Sequence, residues 1–388
     1  MATRFKGNEL SYVEDVLRSN MKSATGGTWT ERLETKFADR FHSRYGIAHN
    51  SGTSALHTCL LAAGVQPGDE VISPGLTVIM DTFATLYVGA KPVYADINPL
   101  TFNIDPESIR KNITKKTKVI IAVHLYGLPA DMGQIMEIAE ENDLIVIEDS
   151  AQCFLGQHKG KLAGSMGHMA CFSFENSKHI SVGEGGMVIT KDEDLAAKVR
   201  KYAGIGFKNL TAESGRVRAN DEAFQSPDYL RHDTLGYNYR LSELNSAVAL
   251  AQLERLTELV RLRMQTARYY QGALDKTDCT WLKPQYVPEG DVNSYWTFAM
   301  TYEGVFGKSW QDFRKLYVKN SGDGFYGGWK VPYQEPVMQN YSWGGKCLKA
   351  EEAQKKIMQL KTNYQDMDVA KQKAEALRKT IEEFQCSA

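Results

Sequence analysis

The sequence has no strong excess of charge of either sign and no long apolar run. Its 388 residues carry 46 Lys and Arg against 47 Asp and Glu, a net charge of −1. The basic excess that is typical of proteins that bind nucleic acid or anionic membranes is therefore missing. No apolar run approaches the ~20 residues that cross a bilayer, and residues 1–9 lack the apolar segment of a signal peptide. These absences predict a cytoplasmic protein without a nucleic-acid or membrane partner.

Paired cysteines and several common catalytic motifs are also missing. The six cysteines are scattered and include no Cys-x-x-Cys pair, so we predict no metal site and free thiols in a reducing compartment. Cys59, Cys153 and Cys171 lie within apolar patterns, as small core residues do. No glycine-rich Rossmann fingerprint, Walker loop or Gly-x-Ser-x-Gly elbow appears. The chemistry must therefore come from another arrangement of residues.

Short apolar runs alternate with helical patterns over the first half of the chain. One helical stripe, for example, consists of Leu56, Cys59, Leu60 and Ala63. Continuous apolar strands that alternate with helices predict an α/β fold, in which a mostly parallel sheet is covered on both faces. The predicted strands are 45–50, 70–73, 92–97, 118–124, 144–147, 169–174 and 187–189.

The second half is less regular and indicates a second domain. Residues 204–233 are polar and predict a long loop. A helix capped by Ser242 is predicted to run past Arg263, with a kink, into the second domain. There we predict a strand at 295–302, a helix at 309–318 and a mostly helical stretch at 351–384.

Three polar features follow predicted strands at the edge where ligands bind in parallel sheets. Ser51–Ser54 opens a helix, and its N–H groups suit a phosphate, with simple capping as the alternative. Asp149 ends a strand, and Gln152 follows three residues later. Lys178 lies on a loop between two buried strands, where an amine can be oriented and desolvated; the alternative is a surface lysine beside a turn. Pyridoxal 5′-phosphate (PLP) needs this set: a lysine, a carboxylate for the pyridine nitrogen and a helix N-terminus.

These residues also carry a family resemblance. The chain resembles the DegT-type (DegT/StrS) sugar aminotransferases, PLP enzymes of fold type I. The resemblance implies a large domain (26–250) with a mostly parallel seven-stranded sheet between helices. It also implies a smaller C-terminal α+β domain (251–388) and an N-terminal segment (1–25) at the active-site edge. The matching segments are Asn50–His57, Pro67–Ile72, Val123–Gly127, Val146–Gln152, Phe172–Gly186 and Gly236–Glu243.

The resemblance implies a role for individual residues. Lys178 would form the Schiff base and act as general acid and base. Asp149 would pair with the pyridinium nitrogen, and Gln152 would lie by the ring hydroxyl. The partners implied are a second subunit in a homodimer with shared active sites, a sugar substrate and glutamate or glutamine. The phosphate would be held by Thr53, Ser54 and Ser173, and by Asn238 of the partner subunit.

Three regions depart from the family pattern. Val78 stands where relatives usually carry an aromatic residue on the cofactor ring. The 204–233 stretch is longer than expected, and Met358–Tyr364 replaces the usual Leu-Pro segment. The last two lie where the substrate is selected, so the resemblance leaves the acceptor open.

The resemblance predicts an aminotransferase that moves the amine of glutamate or glutamine to a nucleotide-linked 4-keto- or 3-keto-deoxysugar. Such enzymes serve amino-sugar biosynthesis for polysaccharide, O-antigen or natural products. An aminocyclitol aminotransferase is an alternative within the family. A sugar dehydratase is another, but its relatives replace the lysine with histidine, whereas here Lys178 is present and His179 follows it. The set of Asp149, Gln152 and Lys178 also disfavours a non-catalytic sensor.

Overall fold

The computed structural model describes residues 4–19, 21, 27–217 and 225–386. None of its described helices is both long and apolar enough to cross a membrane. The helices are α1 (Glu9–Arg18), α2 (Thr28–Arg40), α3 (Gly52–Ala62), α4 (Met80–Tyr87), α5 (Pro106–Asn112), α6 (Met132–Glu141), α7 (Glu193–Ala203), α8 (Glu243–Glu254), α9 (Leu256–Asp275), α10 (Trp310–Lys319), α11 (Leu348–Ala353) and α12 (Met367–Cys386). The strands are β1 (Tyr45–His49), β2 (Glu70–Pro74), β3 (Lys91–Ala95), β4 (Thr117–Val123), β5 (Ile145–Asp149), β6 (Gln157–His158), β7 (Lys161–Leu162), β8 (Met169–Ser173), β9 (Gly186–Thr190), β10 (Leu282–Pro284), β11 (Thr297–Tyr302), β12 (Tyr326–Gly327) and β13 (Ile357–Lys361).

A seven-stranded sheet organises the first half of the chain. Its order is β1-β9-β8-β5-β4-β2-β3, and only β9 runs antiparallel to its described neighbours. The predicted mostly parallel α/β sheet is therefore confirmed. Because six strands run the same way, their carboxyl ends meet at one edge.

Helices cover both faces of this sheet, and strand side chains alternate between the two cores. In β8, Cys171 packs into the core that contains α3 and α7. Its neighbour Phe172 packs into a second core with Phe37, Phe41 and Phe154. A strand buried on both faces has no polar side, which explains the continuous apolar runs in the sequence.

The C-terminal part contains a smaller antiparallel sheet in the order β10-β11-β13-β12. The stretch 351–384, predicted to be mostly helical, is helical at both ends in α11 and α12, but residues 357–361 form the unpredicted strand β13 and pair with β11. The pairing buries Met358 and Leu360, and this burial outweighs the helical preference of the charged residues on either side. The short strands β10 and β12 were not predicted.

Two helix predictions are refined by the structure. The predicted helix from Ser242 past Arg263 is broken at Arg255 into α8 and α9. The sequence around Tyr12, Val16 and Leu17 predicts only a weak amphipathic turn. In the structure these residues belong to a full helix, α1, which packs on α8. The predicted loop at 25–30 lies partly outside the described residues, and α2 begins within it at Thr28.

A buried carboxylate holds the turn that follows β5. Glu148 accepts hydrogen bonds from His124 Nε2 (2.8 Å) and from the N–H groups of Gly164 (2.7 Å) and Met166 (2.7 Å). Burial opposes its charge, but these hydrogen bonds and one from Gly167 prevail, and the pKa of Glu148 is lowered. The position of His124 after an apolar strand favours a buried structural histidine, and these contacts agree with that interpretation.

We expect Glu148→Gln to lower the free energy of unfolding by about 3 kcal/mol at pH 7, because it removes a paired buried charge. A carboxylate whose folded pKa is depressed stabilises the protein above its ordinary pKa, here 4.5, and loses this effect as the pH falls through the folded value. The difference between wild type and variant should therefore shrink below pH 4.5, as measured by urea denaturation. The exposed Glu140→Gln is the control, and an equal difference at all pH values would contradict the assignment.

Candidate active site

The predicted polar residues converge at the carboxyl edge of the seven-stranded sheet. Asp149 ends β5 and is paired with Cys171 of the adjacent β8. Ser173 ends β8, and the Lys178 loop follows it. The loop after β1 lies against Ser173, since a Cβ built on Gly52 would be 2.9 Å from Ser173 Cβ. The edge therefore brings together all three features found in the sequence.

The Ser51–Ser54 segment is not a separate loop but the capped first turn of α3. The apolar stripe of this helix predicts a start at Ala55, whereas the helix begins at Gly52. Ser51 Oγ accepts from Ser54 N (3.1 Å), and Ser54 Oγ accepts from Ser51 N (3.2 Å). Among the described residues, the N–H groups of Gly52 and Thr53 have no hydrogen-bond partner. They remain available to donate to an anion at the positive end of the helix. Ser54 contributes mainly the cap, because its hydroxyl also donates to Asn50 Oδ1 (2.8 Å).

The side chains of Asp149 and Gln152 each accept one hydrogen bond from a backbone N–H group. Asp149 Oδ1 accepts from Ala151 N (2.9 Å), and Gln152 Oε1 accepts from Tyr126 N (2.9 Å). Burial, the largest effect, raises the pKa of Asp149, while the nearby charge of Lys178 opposes the rise. A carboxylate in this position would favour a cationic partner. The Gln152 amide nitrogen has no acceptor in the part of the chain that the structure describes.

Lys178 is held in a setting that favours its neutral amine. Burial lowers its pKa and the charge of Arg263 contributes, while Asp149 and Glu175 act in the opposite direction. Its Nζ lies 4.7 Å from the centroid of the Trp296 ring. A lysine with a lowered pKa is a nucleophile near neutral pH.

Two arginines hold the backbone of the Lys178 loop. Arg263 donates to the carbonyls of Ser177 (2.7 Å), Lys178 (3.0 Å) and Trp296 (2.8 Å). Arg4 donates to the carbonyls of Lys178 (2.9 Å) and His179 (3.1 Å). The loop is thus held by one arginine close to the N-terminus and by one from α9, and we call Arg4 and Arg263 the arginine clamp.

Trp296, the ring beside the lysine, belongs to a stack of three aromatic residues, two of which have buried polar atoms without partners among the described residues. Trp329 stacks on Tyr126 (centroids 5.4 Å apart) and on Trp296 (6.0 Å). The Tyr126 hydroxyl and the Trp296 indole nitrogen are buried and have no hydrogen-bond partner among the described residues. Tyr126 also has a left-handed backbone with φ 62°, a strain that recurs at functional sites. These atoms are suited to donate to a bound ligand.

His179 is a structural residue, in agreement with its interpretation as a loop residue. Its ring is buried against Phe154 (5.3 Å) and its Nε2 lies 3.1 Å from the Ser294 carbonyl. Burial, followed by the charge of Arg263, lowers its pKa well below the ordinary value. A neutral imidazole that donates to a carbonyl does not serve as a second base for the lysine.

Asn238 and Val78 lie at the periphery of the site. The Asn238 side chain is exposed, and the backbone carbonyl of Asn238 accepts from Asn50 Nδ2 (3.4 Å), beside the Ser51–Ser54 loop. Val78 is half-buried in the segment between β2 and α4. The aromatic ring that lies near the Lys178 amine is that of Trp296, which comes from the C-terminal part of the chain.

The residues of the site fit PLP. A free helix N-terminus suits its phosphate, Asp149 suits a protonated ring nitrogen, and Lys178 suits its aldehyde. Gly52 approaches Ser173 too closely to carry a side chain, so the backbone itself lines the phosphate end of the site.

Comparison with known proteins agrees with this geometry. The family model of the DegT/DnrJ/EryC1/StrS aminotransferase family matches residues 4–373. The chain belongs to this family. The predicted PLP-dependent aminotransferase of fold type I is therefore confirmed, and a non-catalytic sensor is not supported.

Individual family members resemble the chain over most of its length. GDP-perosamine synthase of Caulobacter vibrioides is 38% identical over 299 residues, which is 77% of this chain and 76% of the synthase. UDP-2-acetamido-2-deoxy-3-oxo-D-glucuronate aminotransferase of Pseudomonas aeruginosa is 38% identical over 249 residues, 64% of each chain. The X-ray structure of the aminotransferase from Psychrobacter cryohalolentis superposes with a TM-score of 0.89 at 29% identity, covering 99% of this chain and 98% of that one.

Several residues of this family member's site were not found from the sequence. Trp296 was placed in a predicted strand without a role, and Arg263 was named only as a helix residue. Arg4 and Asp81 had no assigned role at all. None of them has a local signal, because each reaches the site through contacts between distant parts of the chain.

Proposed function

We propose that this aminotransferase transfers the amine of glutamate or glutamine to a nucleotide-linked 4-keto- or 3-keto-deoxysugar. The observation that carries the proposal is the lysine itself. Lys178, rather than histidine, stands at the carboxyl edge with a lowered pKa and an aromatic wall. The names of the two relatives, one acting in perosamine synthesis and one on a 3-oxo sugar, support the acceptor class. Amino-sugar biosynthesis for a surface polysaccharide fits this class.

We assign the remaining site residues as follows. Asp149 would pair with the ring nitrogen of PLP and Gln152 would donate to its ring hydroxyl. Thr53, Ser54 and Ser173 would hold the phosphate. PLP supplies the aldehyde that accepts the amine and a ring that takes up electrons. Lys178 would then return as the amine that moves the proton between the donor's carbon and the product side.

The acceptor is tested with a panel of nucleotide-linked keto-sugars. Purified protein loaded with PLP and incubated with glutamate alone should release one equivalent of 2-oxoglutarate per site, followed by amination of a 4-keto- or 3-keto-sugar, read by mass spectrometry. A dehydratase would remove a hydroxyl without adding nitrogen. Amination of aminocyclitol precursors alone would favour the aminocyclitol alternative and contradict the nucleotide-sugar proposal.

We also propose a homodimer with shared sites. Leu235, Tyr237 and Tyr87 are exposed apolar residues, and the Tyr237 ring lies 5.0 Å from Tyr239 next to the phosphate loop. Such exposed apolar patches mark interaction surfaces. Leu235→Asp should halve the molecular mass measured by sedimentation. Leu348 is also exposed, and the control variant Leu348→Asp should leave the mass unchanged.

The shared site has its own test in mixed dimers. If Asn238 serves the partner's site, a dimer of one Lys178→Ala chain and one Asn238→Ala chain contains one complete site. Mixing the two impaired variants should then restore part of the activity. Absence of restoration would place Asn238 in its own subunit's site.

The division of the chain and its location are proposed on structural grounds. We assign residues 26–250 to the cofactor domain, 251–388 to the smaller domain and 1–25 to the site's edge. The two sheets lie within the first two ranges, and limited proteolysis that cut within either range first would contradict the division. A cytoplasmic location fits the six free cysteines, two of which, Cys59 and Cys171, have sulfurs 3.4 Å apart without a bond. A disulfide between them in the isolated protein would oppose it.

A further inference from the structure

A second carboxyl group lies behind Asp149. Asp81, in the first turn of α4, is 1% exposed, and its carboxyl is within hydrogen-bonding reach of the Asp149 carboxyl. Asp81 Oδ2 accepts from Thr77 Oγ1 (2.8 Å). Asp81 Oδ1 is buried and receives no hydrogen bond from any donor in the described part of the chain.

Two buried carboxyl groups in contact cannot both stay ionised. Among the described residues, no cationic side chain pairs with Asp81, whereas Asp149 has the charge of Lys178 nearby and accepts a backbone N–H on Oδ1. The proton therefore belongs on Asp81. Burial, followed by the charge of Asp149, raises the pKa of Asp81 well above its ordinary value, which agrees with a proton on Asp81. Thr77 occupies Oδ2, so the proton lies on Oδ1, directed at Asp149.

We propose that Asp81 is a positioning residue that holds a proton against the Asp149 carboxylate, so that Asp149 presents one oriented negative oxygen to the ring nitrogen of PLP. This inference rests on the proposed pairing of Asp149 with that nitrogen. Among the described residues other than Asp81, the Asp149 carboxylate accepts a hydrogen bond only from Ala151 N. Without a second donor from Asp81, the charged form would be less well stabilised and the neutral acid would be favoured. A neutral Asp149 pairs only weakly with a protonated ring.

Two substitutions at position 81 distinguish hydrogen-bond donation by the side chain from the volume that the side chain fills. Asparagine has nearly the same size, can accept from Thr77 and can donate its N–H to Asp149, as the protonated acid does. Leucine fills a similar volume but donates nothing. If Asp81 acted through a negative charge, both substitutions would remove its effect. If it acts as a hydrogen-bond donor, only Asp81→Leu removes the effect.

The test measures binding of PLP and of 1-deazapyridoxal 5′-phosphate, which has carbon in place of the ring nitrogen, to the apoprotein. Asp81→Asn should bind both as the wild type does, and the ¹⁵N shift of labelled PLP should stay that of a protonated ring. Asp81→Leu should lose affinity for PLP at least about tenfold, as expected for one hydrogen bond to a charged group, with little change for the deaza compound.

Three outcomes would overturn the proposal. Equal loss of both compounds in Asp81→Leu would indicate a purely structural role. Loss of PLP affinity in Asp81→Asn, or a shift to an unprotonated ring, would require a charged Asp81, and this arm is decisive even if the leucine variant fails to fold. Asp149→Ala tests separately the assumption that Asp149 pairs with the ring nitrogen. If this variant keeps the preference for PLP over the deaza compound, the assignment of Asp149 fails.

Discussion

Replacing Lys178 with alanine should abolish transamination, with a loss of at least about a thousandfold, because the residue combines the roles of nucleophile and general acid–base group. The visible absorbance of lysine-bound cofactor should disappear with it. The structure gives the reason: among the described residues, the neighbouring His179 donates to the Ser294 carbonyl and cannot take over the proton.

The assay is a single turnover with glutamate, followed by release of 2-oxoglutarate. Lys161→Ala, which removes an exposed lysine on β7, is the matched control and should behave as wild type. Retention of the absorbance band in Lys178→Ala would move the Schiff base to another lysine. Addition of a small amine that restores some turnover would agree with a missing proton carrier.

Replacing Arg263 with methionine should lower the free energy of unfolding by about 4 kcal/mol. The change removes the hydrogen bonds that the charged guanidinium donates to the carbonyls of Ser177, Lys178 and Trp296, each worth about 1.5–3 kcal/mol. The Lys178 carbonyl keeps its bond from Arg4 and the Trp296 carbonyl keeps one from Thr362 Oγ1, so the Ser177 carbonyl carries the largest loss. Burial, with a smaller effect of Arg4, lowers the pKa of Arg263 to about 9, so its charge is present at neutral pH and contributes to these bonds.

Urea denaturation measures the effect, with Arg261→Met as control, because Arg261 lies on the same helix and is exposed. Arg263→Lys should recover only part of the stability, since one ammonium cannot reproduce the planar fork of donors. The folded fraction of Arg263→Met should also turn over more slowly, because the lysine is no longer positioned. Equal stability of the Arg263 and Arg261 variants would show that the arginine clamp contributes nothing.

Sequence patterns predicted the parts of this molecule that depend on near neighbours. The strands of the large sheet are continuous apolar runs because both faces are buried, and the residues after their carboxyl ends lie at one edge by geometry alone. Asp149, Gln152 and Lys178 were therefore found as candidates. The strand β13 was mistaken for helix, since its pairing partner β11 lies more than fifty residues earlier and leaves no local trace.

The second group of site residues depends on distant contacts. Arg4 reaches Asn176 across 172 positions of sequence, and Arg263 reaches Ser177 across 86. Asp81 is a helix residue whose partner lies on β5, and Trp296 directly precedes β11 of the other sheet. A single sequence does not specify which of its arginines or tryptophans will meet a given loop, so these roles required the folded chain.

The arginine clamp has a consequence for the order of events during synthesis. The chain leaves the ribosome from its N-terminus, so the Lys178 loop emerges well before Arg263 and Trp296, which supply its carbonyl donor and its aromatic wall. A nascent chain that ends before these residues holds every strand of the large sheet, but its Lys178 loop has Arg4 alone as an arginine donor and no Trp296 ring beside the amine. Stable capture of the cofactor therefore reports a chain that extends past Trp296, and products of translation interrupted before that residue should remain colourless.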